Sequence, residues 1–231
     1  MKRAIHLAQQ GRGRVEPNPM VGCVIARKDR VIGEGWHRRF AGPHAEIEAL
    51  KVCTGSLRGA TAYVSLEPCC HVGKTPPCTD ALIQAGIRRV VVALRDPRVH
   101  AGKNGVDLLR RAGIEVDIGT EATAAAELLA PYLTRACLHR PYVIAKWAQS
   151  LDGKLSTSSG DSRWISNESS RRFVHQVRAR VDAILVGSQT VIADDPCLTA
   201  RDVPLRRRAK RIVLDTHLRL PLGCRLVETA R

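Results

Sequence analysis

The stretch TAYVSLEPCCHVGKTPPCTDALIQAGIRRVVVAL, residues 61–94, decides the fold. TAYVSL reads as a strand from its β-branched and aromatic content, and residues 67–78 form a long loop. Residues 79–84 read as a short helix and RRVVVAL as a second strand. Upstream, residues 2–10 carry helical periodicity and EPNP at 16–19 breaks the chain. MVGCVIA at 20–26 and VIGEGW at 31–36 form a strand pair across Lys28 to Arg30, and a helix follows from about His44 to Lys51. Downstream come a helix at 106–111, the short strand IEVDI at 114–118 and an Ala- and Leu-rich helix at 121–138. This alternation predicts an α/β fold, a layered sandwich.

His139, Arg140 and Pro141 end that helix and mark a domain boundary, giving domains of residues 1–140 and 141–231. The second part offers a strand in YVIAKWAQS (142–150), a polar stretch STSSGDSRW (156–164) and a helix capped by Ser166 or Asn167. The strands AILVG (183–187) and RIVLD (211–215) follow, with a DDP turn at 194–196 between them. Roughly ninety residues with so few strands are small for an α/β domain, so this second part is expected to be incomplete.

Among 231 residues, Lys plus Arg number 37 against 22 Asp plus Glu, a formal charge of +15. Such a balance suits a nucleic acid, an anionic small substrate or merely an Arg-rich surface. Only 3% of residues are aromatic, and the basic cluster at 206–211 contains none, so stacking platforms for single strands are scarce and no nucleic-acid partner is expected. No apolar run reaches membrane-spanning length, and His6, Gln9 and Gln10 interrupt the start before a signal-peptide core forms. The expectation is a cytoplasmic protein, no membrane partner, and reduced cysteines. Cys23, Cys53, Cys137, Cys197 and Cys224 sit singly in or beside apolar stretches as core thiols; Cys69, Cys70 and Cys78 do not.

The sharpest chemical signal is His44-Ala45-Glu46 with Pro68-Cys69 and Cys78. One imidazole and two thiols suit zinc, and three protein ligands leave a fourth position open, with Glu46 available for proton transfer. His44 and Cys78 both fall at expected helix starts, where free backbone amides stabilise a thiolate. Two other readings stand beside this one: a closed structural site that recruits Cys70 or His71, and ordinary packed histidine and thiols. Read singly, Asn18 is a turn residue, Lys74 a solvated lysine, Trp164 a core anchor, and Asp194 a turn residue.

His-Ala-Glu with Pro-Cys and a later Cys resembles the zinc-dependent cytidine-deaminase-like superfamily. The usual CxxC is replaced here by a longer loop from Cys69 to Cys78. That loop, with NPMVG at 18–22 and LEPC at 66–69, resembles the bifunctional riboflavin-biosynthesis deaminase/reductase family. The likeness continues through Lys146, SLDGK at 150–154, GDS at 160–162, WIS at 164–166 and ADDP at 193–196.

The resemblance implies a cytidine-deaminase-like three-layer α/β/α sandwich followed by a dihydrofolate-reductase-like domain. It implies a deaminase holding one zinc per chain and acting on diaminohydroxyphosphoribosylaminopyrimidine, and an NADPH-dependent reductase acting on the ribosyl group. By matched position, His44, Cys69 and Cys78 bind the metal and Glu46 is catalytic. Asn18 meets the pyrimidine, and His71 and Lys74 hold the substrate and its phosphate. In the second domain Lys146 lies near the reacting ribose, Ser162, Arg178, Leu198 and Arg201 touch substrate, and Ala148, Trp164, Thr190, Asp194 and Thr216 touch NADPH. The family's reductase runs well past Arg231, which implies an inactive reductase half here, and family members associate into homo-oligomers. GRG at 11–13 and GEG at 33–35 do not form GxGxxG, so NADPH rests on the resemblance alone. The rival functions are a nucleic-acid or nucleoside editing deaminase and a non-catalytic zinc-stabilised binding module.

Overall fold

A computed structural model describes residues 1–230 except Asp29, Lys74, Thr75, Val99, His100, Ala101 and Lys103. The chain forms two compact units, Met1–Val143 and Ile144–Arg231.

Unit 1 contains α1 (Lys2–Gln9), β1 (Gly22–Arg27), β2 (Arg30–Trp36), α2 (Ala45–Val52), β3 (Thr61–Val64), α3 (Cys78–Gln84), β4 (Arg89–Val92), α4 (Gly105–Arg111), β5 (Glu115–Ile118) and α5 (Ala122–Leu138). The sheet runs β2-β1-β3-β4-β5. β1 pairs antiparallel with β2 and β3, whereas β3, β4 and β5 are parallel, with Ala62 opposite Val90 and Val90 opposite Val116. Parallel neighbours require crossovers, and α3 and α4 supply them.

Alternation along β1 sorts the side chains into layers. Cys23 and Ile25 pack with Ala45, Ala49, Leu82, Val106 and Leu109 of α2, α3 and α4, and Val24 packs with Ala4 and Leu7 of α1. α5 closes the α1 side through Ala125 and Leu128, which pack with Ile5, Ala8 and Ala93. The result is a three-layer α/β/α sandwich. A fully buried leucine such as Leu82 or Leu109 is worth about 1.5–3 kcal/mol by transfer alone.

One glycine sets how closely the helix carrying the site can approach the sheet. A Cβ on Gly35 of β2 would lie 2.3 Å from the Ala49 nitrogen and 2.4 Å from the Ala45 carbonyl, so the bare backbone there lets α2 settle directly on the strand.

Unit 2 contains α6 (Glu168–Arg178), β6 (Ala183–Gly187), α7 (Ser188–Asp194), β7 (Lys210–Leu214) and the short α8 (Arg225–Glu228). The Asn167 side chain caps α6 by accepting from the Ser170 amide. β6 and β7 pair in parallel, and on one face Ile184, Val186 and Val213 pack against Val191, Leu198, Cys224 and Leu226.

Two sequence expectations are corrected here. YVIAKWAQS at 142–150 is not a strand: the segment has no ladder partner among the described residues, and Tyr142, Val143, Ile144 and Trp147 are exposed. β-propensity makes a strand only where a second backbone takes up its amides and carbonyls. The second correction is α7, which occupies SQTVIAD where only the DDP turn was expected; Val191 is its buried anchor, and Asp195 ends it in the left-handed region. No helix among the described residues is long and apolar enough to cross a membrane.

Candidate active site

The site forms at the carboxyl end of β3, where the chain leaves the sheet through Ser65 and Glu67 towards Cys69. The mouth of the sheet is the usual location in α/β proteins. Glu67 is buried and works as a bracket: Oε1 accepts from the Val106 amide at 2.9 Å and Oε2 from the Asp96 amide at 3.2 Å. Asp96 in turn accepts from the Tyr132 hydroxyl at 2.7 Å and the Arg98 amide at 2.9 Å. This network fixes Pro68 and Cys69 against α4 and α5. A Cβ on Gly105 would lie 2.0 Å from the Pro68 carbonyl, so the start of α4 presses on the residue before Cys69.

His44 is the N-cap of α2 and Cys78 the first residue of α3. The Cys69 and Cys78 sulfurs lie 3.4 and 3.3 Å from His44 Nδ1, and the three ligand atoms are all within 4.8 Å of one another. The Cys78 amide, one of the N–H groups left unpaired at the buried start of α3, donates to Cys69 Sγ at 3.3 Å. The Cys78 thiol donates to Cys69 and lowers the latter to about 4, and His44 pulls the same way; Cys78 itself, facing the Cys69 thiolate, is held well above the usual thiol range. His44 is raised, first by its hydrogen bond to Cys69. Borderline-soft nitrogen and thiolate donors converging on one point form the set that zinc prefers.

Glu46 is buried, and burial pushes its carboxyl up to about 7, with the Cys69 charge adding to the rise. It lies against the Cys78 thiol, two residues along the chain from His44.

Asn18, after the EPNP break, reaches the same place. Its side-chain amide lies 3.3 Å from Nε2 of His37, whose ring meets the His44 ring edge-on at 5.4 Å between centroids. His71 lies in the ligand loop and, with Cys70, Arg98 and Asn104, lines a small cleft on the flank of Cys69; neither Glu46 nor Asn18 lines it. Lys74 lies outside the described residues.

In unit 2, Arg178 at the end of α6 is half-buried, and burial together with the Arg201 guanidinium lowers it below the usual arginine range. The Arg201 amide donates to His175 Nδ1 at 3.2 Å, so two guanidiniums and an imidazole gather beside one another. Ser162 is half-buried, and the Arg163 guanidinium donates to the Asp194 carbonyl at 3.3 Å. Leu198 is 5% exposed and its side chain is committed to the hydrophobic cluster. Lys146 and Ala148 lie in the segment without secondary structure; Trp164 is exposed with the Arg171 guanidinium over its ring; Thr190, Asp194 and Thr216 are exposed.

Sequence reasoning missed His37 and the bracketing role of Glu67. LEPC held Glu67 in view but said nothing of its partners, and a lone histidine after a strand carries no local signal.

Fold and donor set together define the class, a cytidine-deaminase-like α/β/α domain with one histidine and two cysteines at the mouth of its sheet. Residues 1–94 match the cytidine and deoxycytidylate deaminase zinc-binding region, and residues 141–231 the RibD C-terminal domain. Over nearly its whole length the chain is similar to the RibD proteins of riboflavin biosynthesis. It is 47% identical over 229 residues to riboflavin biosynthesis protein RibD of Aquifex aeolicus, covering 99% of this chain and 64% of that protein. With RibD of Escherichia coli it shares 45% over 222 residues, 96% of this chain and 60% of the relative. The chain thus spans less than two thirds of the length of these relatives. Among solved structures it is similar to the diaminohydroxyphosphoribosylaminopyrimidine deaminase/5-amino-6-(5-phosphoribosylamino)uracil reductase of Thermotoga maritima, with TM-score 0.87, 46% identity, and 93% and 62% of the two chains covered. It is likewise similar to Acinetobacter baumannii RibD, with TM-score 0.88, 44% identity and 99% and 65% covered.

Proposed function

We propose that residues 1–140 are a zinc-dependent deaminase of riboflavin biosynthesis that hydrolyses the amino group of diaminohydroxyphosphoribosylaminopyrimidine. Residues 141–231 belong, in this reading, to the NADPH-dependent reductase domain. The observation that carries the reading is the convergence of His44, Cys69 and Cys78 beside the buried carboxyl of Glu46.

His44, Cys69 and Cys78 would hold the zinc. When bound, the ion supplies a Lewis acid that makes water a competent nucleophile at neutral pH. Glu46 takes a proton from the attacking water as the C–O bond forms and returns it to the departing amino group as the C–N bond breaks, so that ammonia leaves. Such acid–base assistance is typically worth about 10² to 10⁴-fold. Asn18, with donor and acceptor on one amide, pairs with the pyrimidine edge. His71 and Lys74 hold the substrate and its phosphate.

In the reductase half, Lys146 would stand near the ribose, with Ser162, Leu198, Arg178 and Arg201 at the substrate. The paired guanidiniums of Arg178 and Arg201 favour an anionic group there. Ala148, Trp164, Thr190, Asp194 and Thr216 are assigned to NADPH. A cytoplasmic setting and association of identical chains complete the reading; sedimentation of the zinc-loaded chain tests the latter.

The decisive assay is ammonia release by the zinc-loaded chain. Turnover of the phosphorylated ribosylaminopyrimidine, with none of cytidine or single-stranded nucleic acid, is the expected result. Turnover of nucleic acid instead, or zinc binding without any ammonia release, overturns the proposal.

A further inference from the structure

We propose that His37 is a positioning residue that fixes which way the Asn18 amide faces the substrate; the proposal rests on the deaminase reading above. His37 is 2% exposed and follows β2 directly, its own amide donating to the Val21 carbonyl at 2.9 Å. Its Nδ1 lies 2.9 Å from the carbonyl oxygen of Pro43, the residue before His44. A carbonyl only accepts, so Nδ1 carries the proton. A neutral imidazole then has a bare lone pair on Nε2, and the Asn18 atom 3.3 Å away must be the amide nitrogen, donating. The Asn18 carbonyl oxygen is thereby turned away from His37, together with one remaining N–H.

Asn18 itself is only half-buried, which leaves that second edge available. A freely rotating amide presents donor and acceptor in either order. With His37 in place the order is set, and the ring edge recognised must offer a donor opposite Oδ1 and an acceptor opposite the free N–H. The same imidazole packs edge-on against the His44 ring, so one residue aligns a metal ligand and the group that reads the substrate.

The test uses the zinc-loaded chain and three substitutions. Asn at position 37 keeps a donor near the Nδ1 position and loses the distal acceptor, whereas Gln places an acceptor near the Nε2 position. H37N is expected to retain zinc and lose about 10–100-fold in kcat/KM, the cost usual for a lost orienting partner. H37Q is expected to recover most of that loss. N18A and the N18A/H37N double variant should be equally impaired, because His37 acts through Asn18. Wild-type kcat/KM in H37N, equal impairment of H37N and H37Q, or a further loss in the double variant overturns the proposal. A second arm needs neither turnover nor a folded variant at position 37. Nitrogen NMR of the labelled wild-type chain should give a protonated Nδ1 and a bare Nε2, with Nε2 shifting in N18A. A protonated Nε2, or one indifferent to N18A, overturns the proposal. Absence of ammonia release by the wild type would count instead against the deaminase reading.

Discussion

The two units handle the same structural element, a pair of parallel strands, in opposite ways. In unit 1, β4 buries Val90, Val91 and Val92 between two helical layers. In unit 2, β6 and β7 cover one face only; Leu185, Ile212 and Leu214 on the other face are 56%, 40% and 60% exposed. Parallel sheets ordinarily bury both faces, because their crossovers lay helices over them. Catalytic geometry follows from this difference. A side chain is held to a fraction of an ångström only when its supports are themselves packed, as Cys69 is through Glu67 and α4. Among the residues matched to NADPH, Trp164, Thr190, Asp194 and Thr216 are exposed.

The contrast can be sharpened or broken by experiment. The largest effect is expected from Cys78→Ala, which removes one of the three proposed ligands from the packed unit: zinc content by atomic absorption should fall towards zero and ammonia release to background. Retention of stoichiometric zinc would mean that Cys70 or another group closes the site. Next comes Glu46→Gln, which should keep zinc and lose about 10² to 10⁴-fold in turnover; unchanged turnover removes Glu46 from the mechanism.

Gly105→Ala tests whether packing behind Cys69 matters to the metal. The new methyl meets the Pro68 carbonyl, so zinc affinity, read by competition with a chelating indicator, should weaken by about 10–100-fold, the usual scale for a disturbed outer shell. Among stability effects, Leu129→Ala in the fully buried core of unit 1 should cost about 2–5 kcal/mol in urea unfolding. Leu214→Ala on the open face of unit 2 should stay within about 0.5 kcal/mol. Similar losses from both would show that the open face is covered in solution.

The helices and strands of unit 1 were legible because each carries its own period and punctuation: the apolar run of β1, the helical periodicity of α1, the EPNP break between them. The metal cluster was legible for another reason. His44, Glu46, Cys69 and Cys78 are rare residue types in a spacing that few structures other than this one require. YVIAKWAQS misled because a strand is a pairing, and propensity cannot supply the partner. α7 was passed over because SQTVIAD buries little besides Val191 and Ser188 and shows no clear helical stripe.

Sequence alone therefore determined the order of elements in the first unit and singled out His44, Glu46, Cys69 and Cys78, which the fold brings together, since local backbone preference and ligand chemistry are written in residue type and spacing. Only tertiary structure decided that Glu67 braces the thiolate loop, that Gly105 must lack a side chain, and that His37 stands between Pro43 and Asn18. Those relations join segments tens of residues apart, and hydrogen bonds and close approach depend on where the folded backbone brings the atoms.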